Sequence, residues 1–261
     1  MPAPRLPLRR PSLSRRALEN LVLVEAWAAL PSLPLLAWAP QGDGHPVLVL
    51  PGLAASDEST RPLRWFLRNR GYHTHGWRLG RNTGPSARIR SGLRDRVRAI
   101  ADQHGRRISL VGWSLGGIYA REIARLAPDA VRQVITLGSP FRYLDATTRS
   151  DVPLHDTPGD PDHSGRLRRD LGEGVAGTLS VPTTAVYTRT DGVVPWRSCV
   201  ERPGPRRESI EVRGSHIGLG HNPSVLLVVA DRLAQPEGTW APFRPPAHLA
   251  GLYPHPGATA A

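Results

Sequence analysis

A serine flanked by glycines is the part of this sequence with the clearest capacity for chemistry. Residues 112–116 read Gly-Trp-Ser-Leu-Gly, with an apolar run before them and a helical pattern after them. That context predicts a tight, strained turn from a strand into a helix, which exposes the serine hydroxyl and requires glycine on both sides. We therefore predict that Ser114 is a nucleophile. The same turn points the backbone N–H of Leu115 to where an oxyanion could bind.

A nucleophilic serine needs a base, and the base needs an acid that orients it. For a serine on this kind of turn, the chain order is serine, acid, histidine. Asp191 follows the apolar run Thr183–Tyr187 and is the predicted acid, with Asp145 as the rival. His216 follows the last apolar run and is the predicted base, with His221 as the second candidate.

A second oxyanion donor is expected from the turn after the first strand. Residues 51–55 read Pro-Gly-Leu-Ala-Ala, and the glycine permits a tight turn there. We expect the N–H of Leu53 to be the donor, and Ala54 is the alternative. Two preorganised N–H groups of this kind contribute on the order of 10²–10³ each in rate.

Short apolar runs alternate with helical patterns from residue 45 onward, which predicts a mostly parallel sheet with helices on both faces. The expected strands are Val47–Leu50, Tyr72–Leu79, Ile108–Val111, Val131–Leu137, Thr183–Tyr187 and Ser209–Val212. The expected helices are Ser56–Arg70, Ser86–Gln103, Leu115–Leu126 and a helix that Asn222-Pro223 opens, since Asn caps helices and Pro fits the first turn. The polar stretch 141–180 lacks the alternation, so we read it as a short lid insertion above the sheet.

The organisation along the chain has three parts. Residues 1–43 form a basic segment and an amphipathic helix, 44–236 the α/β domain, and 237–261 a tail rich in Pro and Gly, expected to be extended or disordered. The apolar stretch 17–40 resembles a signal peptide or a membrane span, but Glu19, Asn20 and Glu25 interrupt it and prolines break it. A helix that packs on the domain or lies on a membrane is the preferred reading, and we expect a cytoplasmic protein.

The net charge of +12 suggests nucleic acid or an anionic membrane surface as a binding partner. All 34 basic residues are arginines, and thirteen lie within residues 61–107. There they are mixed with helical apolar positions, which is typical of the solvated face of an amphipathic helix. No motif that reads DNA or RNA accompanies them. We therefore expect no nucleic-acid partner and a plain solvated face, with a peripheral contact with an anionic membrane surface as the alternative.

Metal and disulfide chemistry find little support in the sequence. The single cysteine, Cys199, excludes an intrachain disulfide and a cysteine-based zinc cluster. His73 and His75 share a strand face but lack an evident third ligand. The stretch 155–163, with two His and three Asp, is more typical of a polar lid than of a cation site. We expect neither a metal nor a cofactor.

Five segments together resemble the α/β-hydrolase superfamily, and most closely its bacterial esterases and lipases. They lie at 50–53, 112–117, 137–140, 190–195 and 214–219, and the similarity spans about residues 45–235. The resemblance implies a triad of Ser114, Asp191 and His216, oxyanion donors at Leu53 and Leu115, no cofactor, and carboxylic esters as substrates. The chain has Pro51-Gly52 where many lipases have His-Gly.

The expected activity is hydrolysis of lipid-like acyl esters through an acyl-serine intermediate. An acyltransferase or thioesterase with the same triad is the alternative, and a non-catalytic binding protein of this fold is the third. The residues expected to contact substrate are Trp113, Asn82, Phe141 and Tyr143, the last two through an apolar lid.

Overall fold

A six-stranded, all-parallel sheet forms the centre of the protein. The computed structural model describes residues 11–19, 36, 39–144 and 173–254. The strands are β1 (Pro46–Leu50), β2 (His73–Gly76), β3 (Ile108–Trp113), β4 (Val131–Leu137), β5 (Thr183–Tyr187) and β6 (Arg207–Glu211). Their order across the sheet is β2-β1-β3-β4-β5-β6, and every neighbouring pair is parallel.

Helices cover both faces of this sheet. The α-helices of the described residues are α1 (Leu13–Leu18), α2 (Arg61–Asn69), α3 (Ala87–His104), α4 (Leu115–Leu126) and α5 (Pro223–Ala234). Short 3₁₀ helices occur at Asp57–Thr60, Phe141–Leu144, Glu173–Ala176, Trp196–Cys199, Ile217–Gly220 and Ala247–Leu252. This confirms the predicted α/β class. The predicted lid lies largely outside the described residues, at 145–172.

The alternation of side chains along each strand divides the core into two apolar layers. On β1, Leu48 and Leu50 pack in a cluster with the buried faces of α3 and α4. Val47 and Val49 point to the opposite face, in a cluster with α2 and α5. Because both faces are covered, all five residues of β1 are buried.

The predicted helix and strand around residues 56–79 are shorter in the structure. The α-helix begins only at Arg61, after a 3₁₀ turn, because Pro62 fits the first helical turn but not a helix interior. The strand ends at Gly76 because the N–H groups of Trp77 and Arg78 donate to the carboxylate of Asp57, at 2.9 and 3.0 Å, instead of continuing the sheet.

Helix starts and the arginine-rich helix follow the sequence pattern. The side chain of Asn222 caps α5 by accepting from the Ser224 N–H at 2.9 Å, and that of Ser86 caps α3 by accepting from the Ile89 N–H at 3.2 Å. Helix α3 buries its apolar stripe while Arg88, Arg94 and Arg98 are exposed. The predicted solvated arginine face is therefore present.

The C-terminal segment 237–254 differs from the expected extended or disordered tail. Phe243, Leu249 and Tyr253 are buried in the cluster beside α5. The Tyr253 hydroxyl donates to the Ser224 carbonyl at 3.0 Å, and the Phe243 N–H donates to the carboxylate of Glu208 at 2.7 Å. Three well-spaced apolar side chains anchor the segment despite its high Pro and Gly content.

Candidate active site

The turn that carries Ser114 joins β3 to α4 at the carboxyl edge of the sheet. Ser114 has φ 53° and ψ −122°, a left-handed backbone that costs a non-glycine residue about 1–3 kcal/mol. A Cβ added at Gly112 would collide with the backbone of Gly116 and Gly117. A Cβ at Gly116 would lie 2.7 Å from the carbonyl carbon of Leu50. Glycine at 112 therefore lets the turn close on itself, and glycine at 116 lets it lie against the end of β1.

Asp191 and His216 form a buried hydrogen-bonded pair at the same edge. The Nδ1–H of His216 donates to Oδ2 of Asp191 at 2.6 Å. The other oxygen, Oδ1, accepts the N–H groups of Val193 and Val194 at 2.8 and 2.7 Å, which fixes the carboxylate. With Nδ1 protonated, Nε2 of His216 is the nitrogen that can accept a proton.

Opposing effects act on the pKa of His216. Burial disfavours the charged ring and lowers the pKa, whereas the charge and hydrogen bond of Asp191, with a contribution from the charge of Glu19, raise it. The net effect is a pKa above the ordinary value of 6.5. A base tuned in this way holds a proton more firmly once it has received one.

Ser114 and His216 both flank the end of β4. The N–H of Ser114 donates to the Leu137 carbonyl at 2.8 Å. A Cβ built on the next residue, Gly138, would lie 3.1 Å from Nδ1 of His216. Among the described residues, the Ser114 hydroxyl makes no side-chain hydrogen bond. Catalytic hydrogen bonds are often long in free enzymes and tighten in the complex.

The loop after β1 presents one N–H of the predicted pair of oxyanion donors. The Ala54 N–H donates to the Asn82 carbonyl at 2.7 Å and is therefore occupied. In the described part of the chain, the N–H groups of Leu53 and Leu115 have no acceptor. A Cβ on Gly52 would lie 3.3 Å from Cβ of Ser114, so this loop is directly beside the serine. The geometry favours Leu53 over Ala54.

Asn82 holds this loop and is not placed to contact a substrate as we expected. Its side chain is fully buried, and Nδ2 donates to the Pro51 carbonyl at 3.0 Å. Its Oδ1 accepts the Gly84 N–H and the Tyr119 hydroxyl at 3.2 and 3.3 Å. With its amide nitrogen and its oxygen both bonded inside the protein, this buried side chain braces the loop that carries Leu53.

The aromatic residues expected in the pocket also have structural contacts. Phe141 and Tyr143 are 1% exposed and pack in the core, and the Arg121 guanidinium lies 3.9 Å above the Phe141 ring. This differs from the predicted lid contact. Trp113 donates its indole N–H to the His216 carbonyl at 3.1 Å. Its ring supports the loop of the base.

A residue that we did not predict as part of the site contacts both catalytic loops. Oε1 of Glu19 accepts the N–H groups of Gly192 and His216 at 2.9 and 2.8 Å. Oε2 accepts the Ile217 N–H at 2.9 Å. The available signal in the sequence was a carboxylate that interrupts an apolar stretch, which we used only against a membrane span.

The remaining candidates lie outside the described residues or at other positions of the fold. Asp145 and the stretch 155–163 lie outside the described residues. His221 ends the 3₁₀ helix after His216, and the contact with Asp191 is made by His216. His73 lies at the sheet edge, where its ring and that of His104 are 4.9 Å apart.

Within the described ranges, no group of ligating side chains is arranged as a metal site would be. None of the described helices is long and apolar enough to span a membrane.

Comparisons with known proteins place this geometry in a fold class. One of two metagenome-derived lipolytic enzymes, LipS and LipT, superposes with a TM-score of 0.55 at 16% identity, covering 74% of this chain and 93% of that one. No family model matches the chain. With the parallel sheet and the serine turn, the superposition shows that this is a protein of the α/β-hydrolase fold.

Within that fold, the chain is similar in sequence to esterases and lipases. A pimeloyl-[acyl-carrier protein] methyl ester esterase of Aliivibrio salmonicida is 31% identical over 109 residues, 41% of each chain. A triacylglycerol lipase of Pseudarthrobacter phenanthrenivorans is 27% identical over 107 residues, 38% of this chain and 34% of that one. The matched segments span less than half the length of these two relatives.

Proposed function

We propose that the protein is a serine hydrolase that cleaves carboxylic esters with Ser114, His216 and Asp191. The observation that carries the proposal is the strained Ser114 turn at the same sheet edge as the 2.6 Å pair of His216 and Asp191. Strained non-glycine backbone is retained where function requires it. The named similarities to esterases and lipases support ester chemistry.

The proposed reaction has two halves. Nε2 of His216 takes the hydroxyl proton as Oγ of Ser114 bonds to the ester carbonyl carbon, and the carbonyl oxygen becomes an oxyanion held by the N–H groups of Leu53 and Leu115. His216 then returns the proton to the departing alkoxide, which leaves an acyl-serine. Water repeats the sequence and releases the acid and the free serine.

Acyl esters with a hydrophobic acyl chain are the proposed substrate class. Leu53 is half-buried beside Ser114, and Ile217, which follows His216 directly, is 41% exposed. Apolar side chains at a reaction site favour apolar substrates. The relatives named above act on a pimeloyl methyl ester and on triacylglycerol according to their names, which is consistent with acyl chains.

Labelling with a fluorophosphonate probe tests the enzyme assignment. We expect wild type to be labelled and to hydrolyse p-nitrophenyl esters, and Ser114→Ala to do neither. If the two proteins behave equally, Ser114 is not the nucleophile. If wild type is neither labelled nor active, the protein is not a serine hydrolase. A preference for acetyl over octanoyl esters would refute the acyl-chain class. An added alcohol or thiol that captures the acyl group faster than water would establish transferase chemistry.

We also propose that one face of α2 contacts anionic membrane surfaces. Trp65 is 62% exposed, more than any other large apolar side chain among the described residues. Arg61 and Arg68 are exposed on the same side, at i−4 and i+3. Tryptophan with arginine suits the water–lipid boundary, where aromatic rings sit at headgroup level beside basic side chains. Vesicles with and without phosphatidylglycerol test this: Trp65→Ala should reduce co-sedimentation with the anionic vesicles, and unchanged co-sedimentation refutes it.

A further inference from the structure

A buried carboxylate from the N-terminal segment connects the acid loop to the base loop. Glu19 is 8% exposed and accepts three backbone N–H groups, one from Gly192 and two from His216 and Ile217. Gly192 directly follows Asp191, and His216 is the base itself. The Glu19 carboxylate is therefore one residue away from the acid and directly hydrogen-bonded to the backbone of the base.

The N-terminal helix is built closely against the acid loop. A Cβ on Gly192 would lie 2.7 Å from the carbonyl carbon of Arg15 and 2.9 Å from Cγ of Glu19. Glycine at position 192 is thus what allows α1 to approach and Glu19 to reach both loops. The loops also contact each other directly, since the hydroxyls of Thr188 and Thr190 donate to the Gly214 carbonyl at 2.9 and 2.7 Å.

We propose that Glu19 is a positioning residue of the active site, which holds the loops of Asp191 and His216 at the separation that keeps their side chains hydrogen-bonded. The inference rests on the proposed serine-hydrolase function. Hydrogen bonds from N–H groups to a carboxylate are charge-assisted and stronger than neutral ones, so three of them fix the loops firmly. Both carboxylate oxygens are used, which no amide side chain reproduces.

Glu19 also acts on His216 through its charge. The charged side chains that act on the imidazole among the described residues are Asp191, from the loop after β5, and Glu19, from the segment after α1. Both favour the protonated ring, against the effect of burial. Removing the charge of Glu19 lowers the pKa of His216, so the acid limb of the activity profile moves to lower pH.

The test compares kcat, KM and the pH profile of p-nitrophenyl butyrate hydrolysis for the full chain and its variants. In Glu19→Gln one oxygen is replaced by an NH₂ that faces a backbone donor. Misplacement of a catalytic group by about 1 Å lowers the rate by up to about 100-fold. We therefore expect kcat to fall about 10- to 100-fold with KM nearly unchanged. The midpoint of the acid limb should move to lower pH.

Two further variants separate positioning, charge and stability. Glu19→Asp keeps the charge but withdraws the carboxylate by one bond of about 1.5 Å, so kcat should fall while the acid limb remains close to that of wild type. Glu208→Gln is the matched control: Glu208 is also 8% exposed and accepts a backbone N–H, from Phe243, but has no contact with the catalytic loops. It should lower the unfolding temperature without moving kcat or the pH profile.

The inference is overturned if Glu19→Gln is folded and has the kcat and pH profile of wild type, or if Glu208→Gln reproduces its effects. If Glu19→Gln does not fold, an unchanged kcat in Glu19→Asp overturns it. Should wild type neither turn over esters nor bind a fluorophosphonate, the proposed function fails separately. The His216 pKa, followed by NMR titration of its ring protons in wild type and Glu19→Gln, then decides whether Glu19 acts on the imidazole at all.

Discussion

Gly116→Ala tests whether the backbone contact between the serine turn and the loop of Leu53 sets the rate. A Cβ at position 116 would lie 2.7 Å from the carbonyl carbon of Leu50 and 2.8 Å from the carbonyl oxygen of Pro51. Non-bonded carbon atoms prefer about 3.5–4.0 Å. Both obstacles are backbone atoms, which cannot rotate away, so the two segments must separate by about 1 Å.

That displacement acts directly on the proposed oxyanion site. Leu53 lies two residues after Pro51, so its N–H moves away from the Leu115 N–H. Loss of one oxyanion donor costs about 10²–10³ in kcat, and a 1 Å misplacement costs about 10². We expect kcat to fall about 100-fold with KM little changed, because the donors act on the oxyanion and not on the bound ester. The overpacking should lower the free energy of unfolding by about 1–3 kcal/mol.

Steady-state hydrolysis of p-nitrophenyl butyrate gives kcat and KM, and urea unfolding gives stability. Gly92→Ala is the matched control on helix α3, because its added Cβ meets only the end of the Leu79 side chain, at 3.0 Å. That side chain can move, so kcat should change by no more than about twofold. A folded Gly116→Ala with the kcat of wild type would refute the proposed geometry of the oxyanion site.

Three further predictions use other features. Ser114→Gly should be more stable than Ser114→Ala by about 1 kcal/mol in urea unfolding, because only glycine adopts φ 53° without strain; equal stabilities would show an unstrained turn. Burial lowers the pKa of His216, but Asp191, with Glu19, raises it more, so the pKa lies above 6.5. Because the neutral ring is the base, kcat/KM of wild type should rise with pH through a midpoint above 6.5. A midpoint below 6.5 would contradict this. Burial lowers the pKa of His45 from 6.5 to about 4. Between pH 4 and 6.5 the unfolded chain therefore binds more protons than the folded one. The free energy of unfolding should accordingly fall by about 3 kcal/mol as the pH drops from 6.5 to 4. His45→Gln should flatten that slope in urea unfolding at the two pH values, and an unchanged slope would assign it to another group.

The sheet and the serine turn could be predicted because their signals are local. Strands β1, β3, β4 and β5 are mostly apolar runs of five to seven residues, whereas the edge strands β2 and β6 are polar. Glycine at 112 is required within its own turn, because an added Cβ would meet the backbone of Gly116 and Gly117. The edge strand β2 was predicted too long since its end depends on Asp57, about twenty residues earlier. Such a contact leaves no trace in the pattern around residue 77.

The roles of Asn82 and Glu19 depend on contacts across long stretches of chain. Asn82 follows a strand at the expected edge, which made it a candidate for the cleft, but its donor reaches Pro51, 31 residues earlier. The partners of Glu19 lie 173 to 198 residues away. Periodicity and motif spacing cannot indicate such partners, because many polar residues have the same local context.

A second set of the same residue types shows why position in the fold decides chemistry. His45 lies between Asp43 and Ser109, with Nδ1 2.5 Å from the carboxylate and Nε2 2.8 Å from the hydroxyl. This set lies at the opposite, amino-terminal edge of the sheet, where β1 and β3 begin. His45 and Ser109 are fully buried, so no ester can reach them. We expect this arrangement to be structural.

The sequence distance between Glu19 and its partners shows how late in synthesis the site is completed. Ile217 leaves the ribosome 198 residues after Glu19. At about 5–20 residues per second this takes about 10–40 s. Glu19 has therefore long been translated when the two loops that it joins are made. A nascent chain that carries Ser114 but lacks residues 192–217 has neither the acid loop closed nor the base in place, so the proposed activity begins only when nearly the whole domain has been made.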